Sequence, residues 1–154
     1  MGNLLMKDDG VGIHALRELA RQWQGDEVEW IDGGTDAWSA VWRVRDCRWV
    51  LVLDAIRVGG KPGSVYRLSL DALEEDAPGV SLHDVSLAGL IRFESAMGDG
   101  FESVRVVAME PADISPGTEL SETCRAALSD MVREGRTEML SMTAQQDLQG
   151  AWQC

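Results

Sequence analysis

Apolar residues at Ile13, Leu16, Leu19, Ala20 and Trp23 recur every three or four positions, with Arg17, Glu18, Arg21 and Gln22 between them. That spacing predicts an amphipathic helix over 11–23 that buries one face, and Gly25-Asp26 breaks the pattern. Residues 27–32 (EVEWID) alternate polar and apolar and predict a strand ending at the turn Asp32-Gly33-Gly34-Thr35. A short helix is expected over 36–44 through Trp38, Val41 and Trp42, with Thr35 or Asp36 as its cap.

The run Trp49-Val50-Leu51-Val52-Leu53 is apolar throughout and stops at Asp54. A strand without alternation is one covered on both faces, as in a parallel sheet. The next strand, 65–70, follows a connector (IRVGGKPGS) too short for a crossover helix, which needs about a dozen residues. It is therefore expected to be antiparallel or to lie at an edge. Residues 71–82 read as loop and 84–97 as a helix carrying Leu87, Leu90, Ile91 and Phe93. A branched strand is expected over 102–109, a loop over 111–117, and a helix over 119–134 with Leu120, Cys124, Leu128 and Met131 on one face. The polar, Gln-rich stretch 135–154 is expected to fray as a flexible tail. Helices alternating with strands predict a three-layer α/β/α fold around a mostly parallel, twisted sheet, as one domain over 1–134.

Composition narrows the partners. The 154 residues suit one domain, and 45% apolar with 26% charged residues is ordinary for a globular chain. The net charge of −12 lacks the basic footprint of nucleic-acid binders. No apolar run reaches the length of about 20 residues that spans a bilayer, so neither nucleic acid nor membrane is expected as a partner. The three cysteines, Cys47, Cys124 and Cys154, form no CxxC pair, and no signal peptide opens the chain. Reduced thiols in a cytoplasmic protein are the expectation.

In α/β sheets ligands bind at the carboxyl ends of strands, and three features fall there. The opening GNLLMKDDGVG runs directly into the first helix. Its Gly10 and Gly12 permit tight backbone turns, and its Asp8 and Asp9 are either caps favoured by the helix dipole or ligands. Asp54 ends the buried strand, as a loop acid in water or as a paired or liganded carboxylate. His83, in SLHDVSL, enters a helix as a surface histidine, a cap or a ligand. The other histidine, His14, lies beside the apolar stripe of the first helix and reads as structural or solvent-facing. Asp9, Asp54 and His83 together offer two carboxylates and one imidazole, an incomplete set for a divalent first-row metal with a position left open. No GxSxG elbow, GxGxxG or GK[ST] motif is present, which disfavours serine nucleophiles and nucleotide phosphates.

GNLLMKDDGVG, IDGGT at 31–35, LVLDA at 51–55, Pro62-Gly63, SLHDVSLAGL at 81–90, AMEP at 108–111 and PGTELS at 116–121 occur in one register. In that order and spacing the chain resembles the nickel–iron hydrogenase maturation endopeptidases, over most of residues 2–133. The resemblance implies an aspartyl-type, metal-dependent peptidase that removes the C-terminal extension of the hydrogenase large-subunit precursor after nickel insertion. It implies that Asp9, Asp54 and His83 contact nickel carried by the substrate, that Asp32 to Thr35 help shape the groove, and that water is the nucleophile. The first of these positions is often Glu in relatives. The alternative is a docking or chaperone-like protein that holds the precursor without cutting it.

One departure has a physical consequence. Relatives open with an apolar strand that is central in the sheet, whereas this chain starts at Met1-Gly2-Asn3. Loss of about five buried apolar side chains costs on the order of 10 kcal/mol, comparable to the stability of a whole domain. The expectation is a truncated start, or a decayed and inactive copy. Either way a gap should separate the 49–53 strand from residues 27–32.

Overall fold

The computed structural model describes residues 1–25, 27–69, 89–92, 94 and 101–149. Three strands form one sheet, β1 (Trp49–Ala55), β2 (Val65–Ser69) and β3 (Ser103–Met109), in the order β1-β3-β2. β1 runs parallel to β3, with Asp54 opposite Ala108, and β2 runs antiparallel to β3 at the far edge. The short connector before β2 thus gives the antiparallel edge strand that its length demands.

Among the described residues the sheet is accompanied by α1 (Val11–Gln22), α2 (Ala37–Val44) and α3 (Glu122–Gln149). Residues 89–92 are also helical, within the helix expected over 84–97. Val52 of β1 and Val104, Val106 and Ala108 of β3 pack against Ala37 and Val41 of α2 and against Leu90 and Ile91. Leu53, Ala55, Val107 and Met109 point the other way, onto Val11, Ala15 and Leu19 of α1 and Cys124, Met131 and Met139 of α3. Successive strand residues therefore bury themselves on opposite faces, which is why the 49–53 run shows no alternation. This is the expected α/β/α layering, with a mixed sheet.

Three expectations are corrected. The helix expected to end at 134 runs on to Gln149, with Met139 and Met142 buried. Gly135 reads as a breaker, yet a Cβ there would stand 2.9 Å from Leu19 Cδ1, so it is the point where α3 lies against α1. Residues 27–32 belong to no strand. Between Val28, Trp30 and Ile31 on one side and Trp49–Leu53 of β1 on the other lies a largely apolar cavity of about 210 Å³. The gap anticipated from the sequence is present, and it deprives 27–32 of a ladder partner. Finally, Cys47 is disulfide-bonded, not a reduced thiol, while Cys124 is free and buried.

Candidate functional site

The site lies where β1 and β3 end. Asp54, the sixth residue of β1, is 2% exposed, and its Oδ1 accepts the Ala55 amide at 2.8 Å. It is a buried strand residue, so the reading of a solvated loop acid fails.

Asp9 sits on a 3-10 turn, Lys7–Gly10, that leads into α1. Its Oδ2 accepts the Asn3 amide at 3.0 Å. Gly12 brings this turn to β1: a Cβ at that position would stand 2.3 Å from the Leu53 carbonyl oxygen and 2.6 Å from that of Met1. Glycine is required because backbone approaches from both sides.

The Met1 ammonium lies beside the end of β1. It donates to the Leu53 carbonyl at 2.6 Å. Burial pushes its pKa down, and the negative charges of Asp54, Asp32 and Asp9, in that order, oppose the shift. Three carboxylates from three separate segments thus lie within electrostatic reach of the Met1 amine. Asp32 reaches it from the turn before α2, where its Oδ1 accepts the Gly34 amide at 3.0 Å and Arg17 stands 3.6 Å away. The Gly2 amide closes the arrangement on the Gly34 carbonyl at 2.8 Å. Asp36 is the residue that caps α2, accepting the Ser39 amide at 3.2 Å.

His83 lies outside the described residues. Among the described residues no group of three His, Cys, Asp or Glu side chains is placed to hold a metal ion. The described part of the trio is the carboxylate pair. His14 is partly buried on α1, its Nε2 enclosed without a hydrogen-bond partner; burial, then the charge of Arg17, lowers its pKa. It belongs to the helix and not to the site.

The sequence reading missed two buried acids. Asp8 does not cap a helix: neither the 3-10 turn nor α1 has a side-chain cap. Its side chain is fully buried, and Oδ2 accepts from the Ala112 amide at 2.9 Å, the Asp113 amide at 2.8 Å and Ser121 Oγ at 2.7 Å, while Oδ1 accepts the Ser121 amide at 2.7 Å. Burial pushes its pKa up, but the bonds from Ser121 and Asp113 outweigh that and hold it below the ordinary carboxyl value. Hydrogen bonds to a charged group contribute about 1.5–3 kcal/mol each. Glu110, at the end of β3, accepts the Val58 and Gly59 amides at 3.1 and 3.2 Å and so holds the loop that follows Asp54. Neighbouring acids in a sequence look alike, and the donors that distinguish Asp8 from Asp9 lie more than a hundred positions away.

The turn that carries Asp9 thus packs against the strand that carries Asp54 in an α/β/α protein. Comparison with known proteins resolves the class. The family model for hydrogenase maturation protease, HycI, matches residues 13–138, and the chain belongs to that family. It is 30% identical over 117 residues to the hydrogenase expression/formation protein HupD of Thiocapsa roseopersicina, covering 74% of this chain and 53% of that one. The chain thus spans about half the length of that relative. The fold matches the hydrogenase maturating endopeptidase HybD of E. coli with a TM-score of 0.78 at 21% identity, over 92% of this chain and 89% of that one. It also matches the hydrogenase 2 maturation peptidase of a Thaumarchaeota archaeon, with a TM-score of 0.66 at 30% identity over 90% and 93%. Among the described residues no helix is long and apolar enough to cross a membrane.

Proposed function

We propose that this chain is the endopeptidase that removes the C-terminal extension of a nickel–iron hydrogenase large-subunit precursor once nickel has been inserted. What supports the reading is that, in a member of this family, Gly12 brings the turn carrying Asp9 against β1, whose sixth residue is Asp54. In this reading Asp9, Asp54 and His83 recognise nickel that arrives as part of the substrate. Carboxylate and imidazole donors suit a divalent first-row ion already held by the precursor's thiolates. Negative carboxylates on the two segments attract a substrate cation. A precursor without nickel lacks this attraction, so the same residues test whether the cargo is present. Asp32 shapes the side of the groove facing α2, and water is the nucleophile of a reaction located in the cytoplasm.

The cavity beside β1 favours a second reading, a docking protein that holds the precursor without cutting it. Incubation with nickel-loaded precursor separates the two by mass spectrometry. A fall in large-subunit mass equal to the extension supports the peptidase. An unchanged mass with stable complex formation supports docking. Equal cutting of loaded and nickel-free precursor would refute recognition of nickel.

A further inference from the structure

We propose that Asp8 is a positioning residue that sets where the Asp9 carboxylate stands relative to Asp54; this rests on the reading of Asp9 and Asp54 as the groups that meet the substrate. Side chains of consecutive residues on a tight turn diverge. Asp9 Oδ2 holds the Asn3 amide at 3.0 Å, whereas the Asp8 side chain is fully buried.

The Asp8 carboxylate meets donors from two different places. The Ala112 and Asp113 amides lie just beyond β3, and Ser121 stands immediately before α3, where its Oγ accepts the Cys124 amide at 3.2 Å. The backbone of the same turn is tied to the same loop. Lys7 donates to the Gly117 carbonyl at 2.9 Å, Asp8 donates to Asp113 at 3.1 Å, and Gly117 returns a bond to Leu5 at 2.9 Å. The turn therefore cannot shift Asp9 without dragging the end of the central strand and the start of the longest helix. Glu110 takes none of these donors; its partners are the Val58 and Gly59 amides and Tyr66 Oη. Asp8 is the buried side chain that ties the Asp9 turn to the residue before α3.

A residue that only anchors the fold and one that positions Asp9 differ in what their loss changes. Asp8→Asn keeps the volume but sets an amide NH2 or a single carbonyl against four donors. The expected result is a fall in kcat on nickel-loaded precursor of about tenfold or more, with KM within about twofold, because small misplacement of a reacting group costs rate more than binding. The second readout needs no activity. The Asn3 amide is held by Asp9 Oδ2, so its hydrogen exchange should accelerate in Asp8→Asn while amides within α1 stay protected. Met139→Ala, in the distant part of α3, should lower the melting temperature without changing kcat per folded molecule. If Asp8→Asn does not fold, Ser121→Ala removes one donor, keeps the carboxylate, and should lower kcat by severalfold. Wild-type kcat and wild-type Asn3 exchange in the folded Asp8→Asn variant, or wild-type kcat in Ser121→Ala, would overturn the proposal. If the wild-type chain does not cut precursor, the peptidase reading fails, and Asn3 exchange alone then decides whether Asp8 positions Asp9.

Discussion

Replacing Gly12 with alanine tests the link between packing and site most directly. The new methyl would meet two backbone carbonyl oxygens, Leu53 at 2.3 Å and Met1 at 2.6 Å, neither of which can swing aside as a side chain does. Restoring an ordinary contact of 3.4 Å requires the start of α1 to retreat from β1 by about 1 Å. Overpacking of this kind typically costs about 1–3 kcal/mol. For a domain of this size each kcal/mol lowers the melting temperature by about 2–4 °C, so a drop of roughly 4–8 °C is expected for a mid-range cost. The retreat carries the 3-10 turn and Asp9 with it, while Asp54 stays in its ladder. A displacement near 1 Å at a reacting group can cost about a hundredfold in rate. Calorimetry or circular dichroism gives the melting shift, and gel or mass analysis of the processed precursor gives the rate. A Gly12→Ala protein that melts like wild type and processes at the wild-type rate would refute both the close approach and its role in bringing the two carboxylates together.

Asp54→Asn, which preserves shape at a buried strand end, should retain a cooperative melt yet lose processing by at least about a hundredfold, and His83→Ala should behave alike; a variant that trims precursor at the wild-type rate contradicts its assignment. Met131→Ala removes a fully buried side chain between α3 and the sheet and should cost about 2–5 kcal/mol, read from urea unfolding. Asp36→Ala removes the cap of α2 and should cost about 0.5–2 kcal/mol, with little effect on processing. Asp8 and Asp113 are both held below the ordinary carboxyl value of 3.8, Asp113 chiefly by Lys7. A depressed carboxyl pKa means that the unfolded chain binds protons first. Their stabilisation is therefore complete above the ordinary value and is lost as pH falls through the lower folded-state values. Urea midpoints measured through the acid range should fall, and Asp113→Asn should flatten that fall.

Much of the fold could be read along the chain because the relevant signals are local. The unbroken 49–53 run announces a strand buried on both faces, and the short connector announces an antiparallel neighbour. What escaped depended on distant partners. Residues 27–32 carry strand alternation, but no ladder reaches them across the cavity. Gly135 has the composition of a helix end, yet it serves a helix crossing that only the position of Leu19 explains. Val132 before it and Met139 and Met142 after it keep helical spacing, so that extension was available from periodicity. At the site, Asp54 was legible as an acid closing an apolar run. Asp8 was not, since its separation from Asp9 depends on Ser121 and on the backbone beyond β3.

The end of β3 supplies no group to the carboxylate pair, yet Glu110 grips the segment downstream of Asp54 and Ala112 and Asp113 grip the turn before Asp9. The spacing of the two acids is thus governed like the jaws of a caliper, by a hinge block remote from the tips. Evolution or engineering can retune such a tool by altering four residues, 110–113, while Asp9 and Asp54 themselves stay chemically the same.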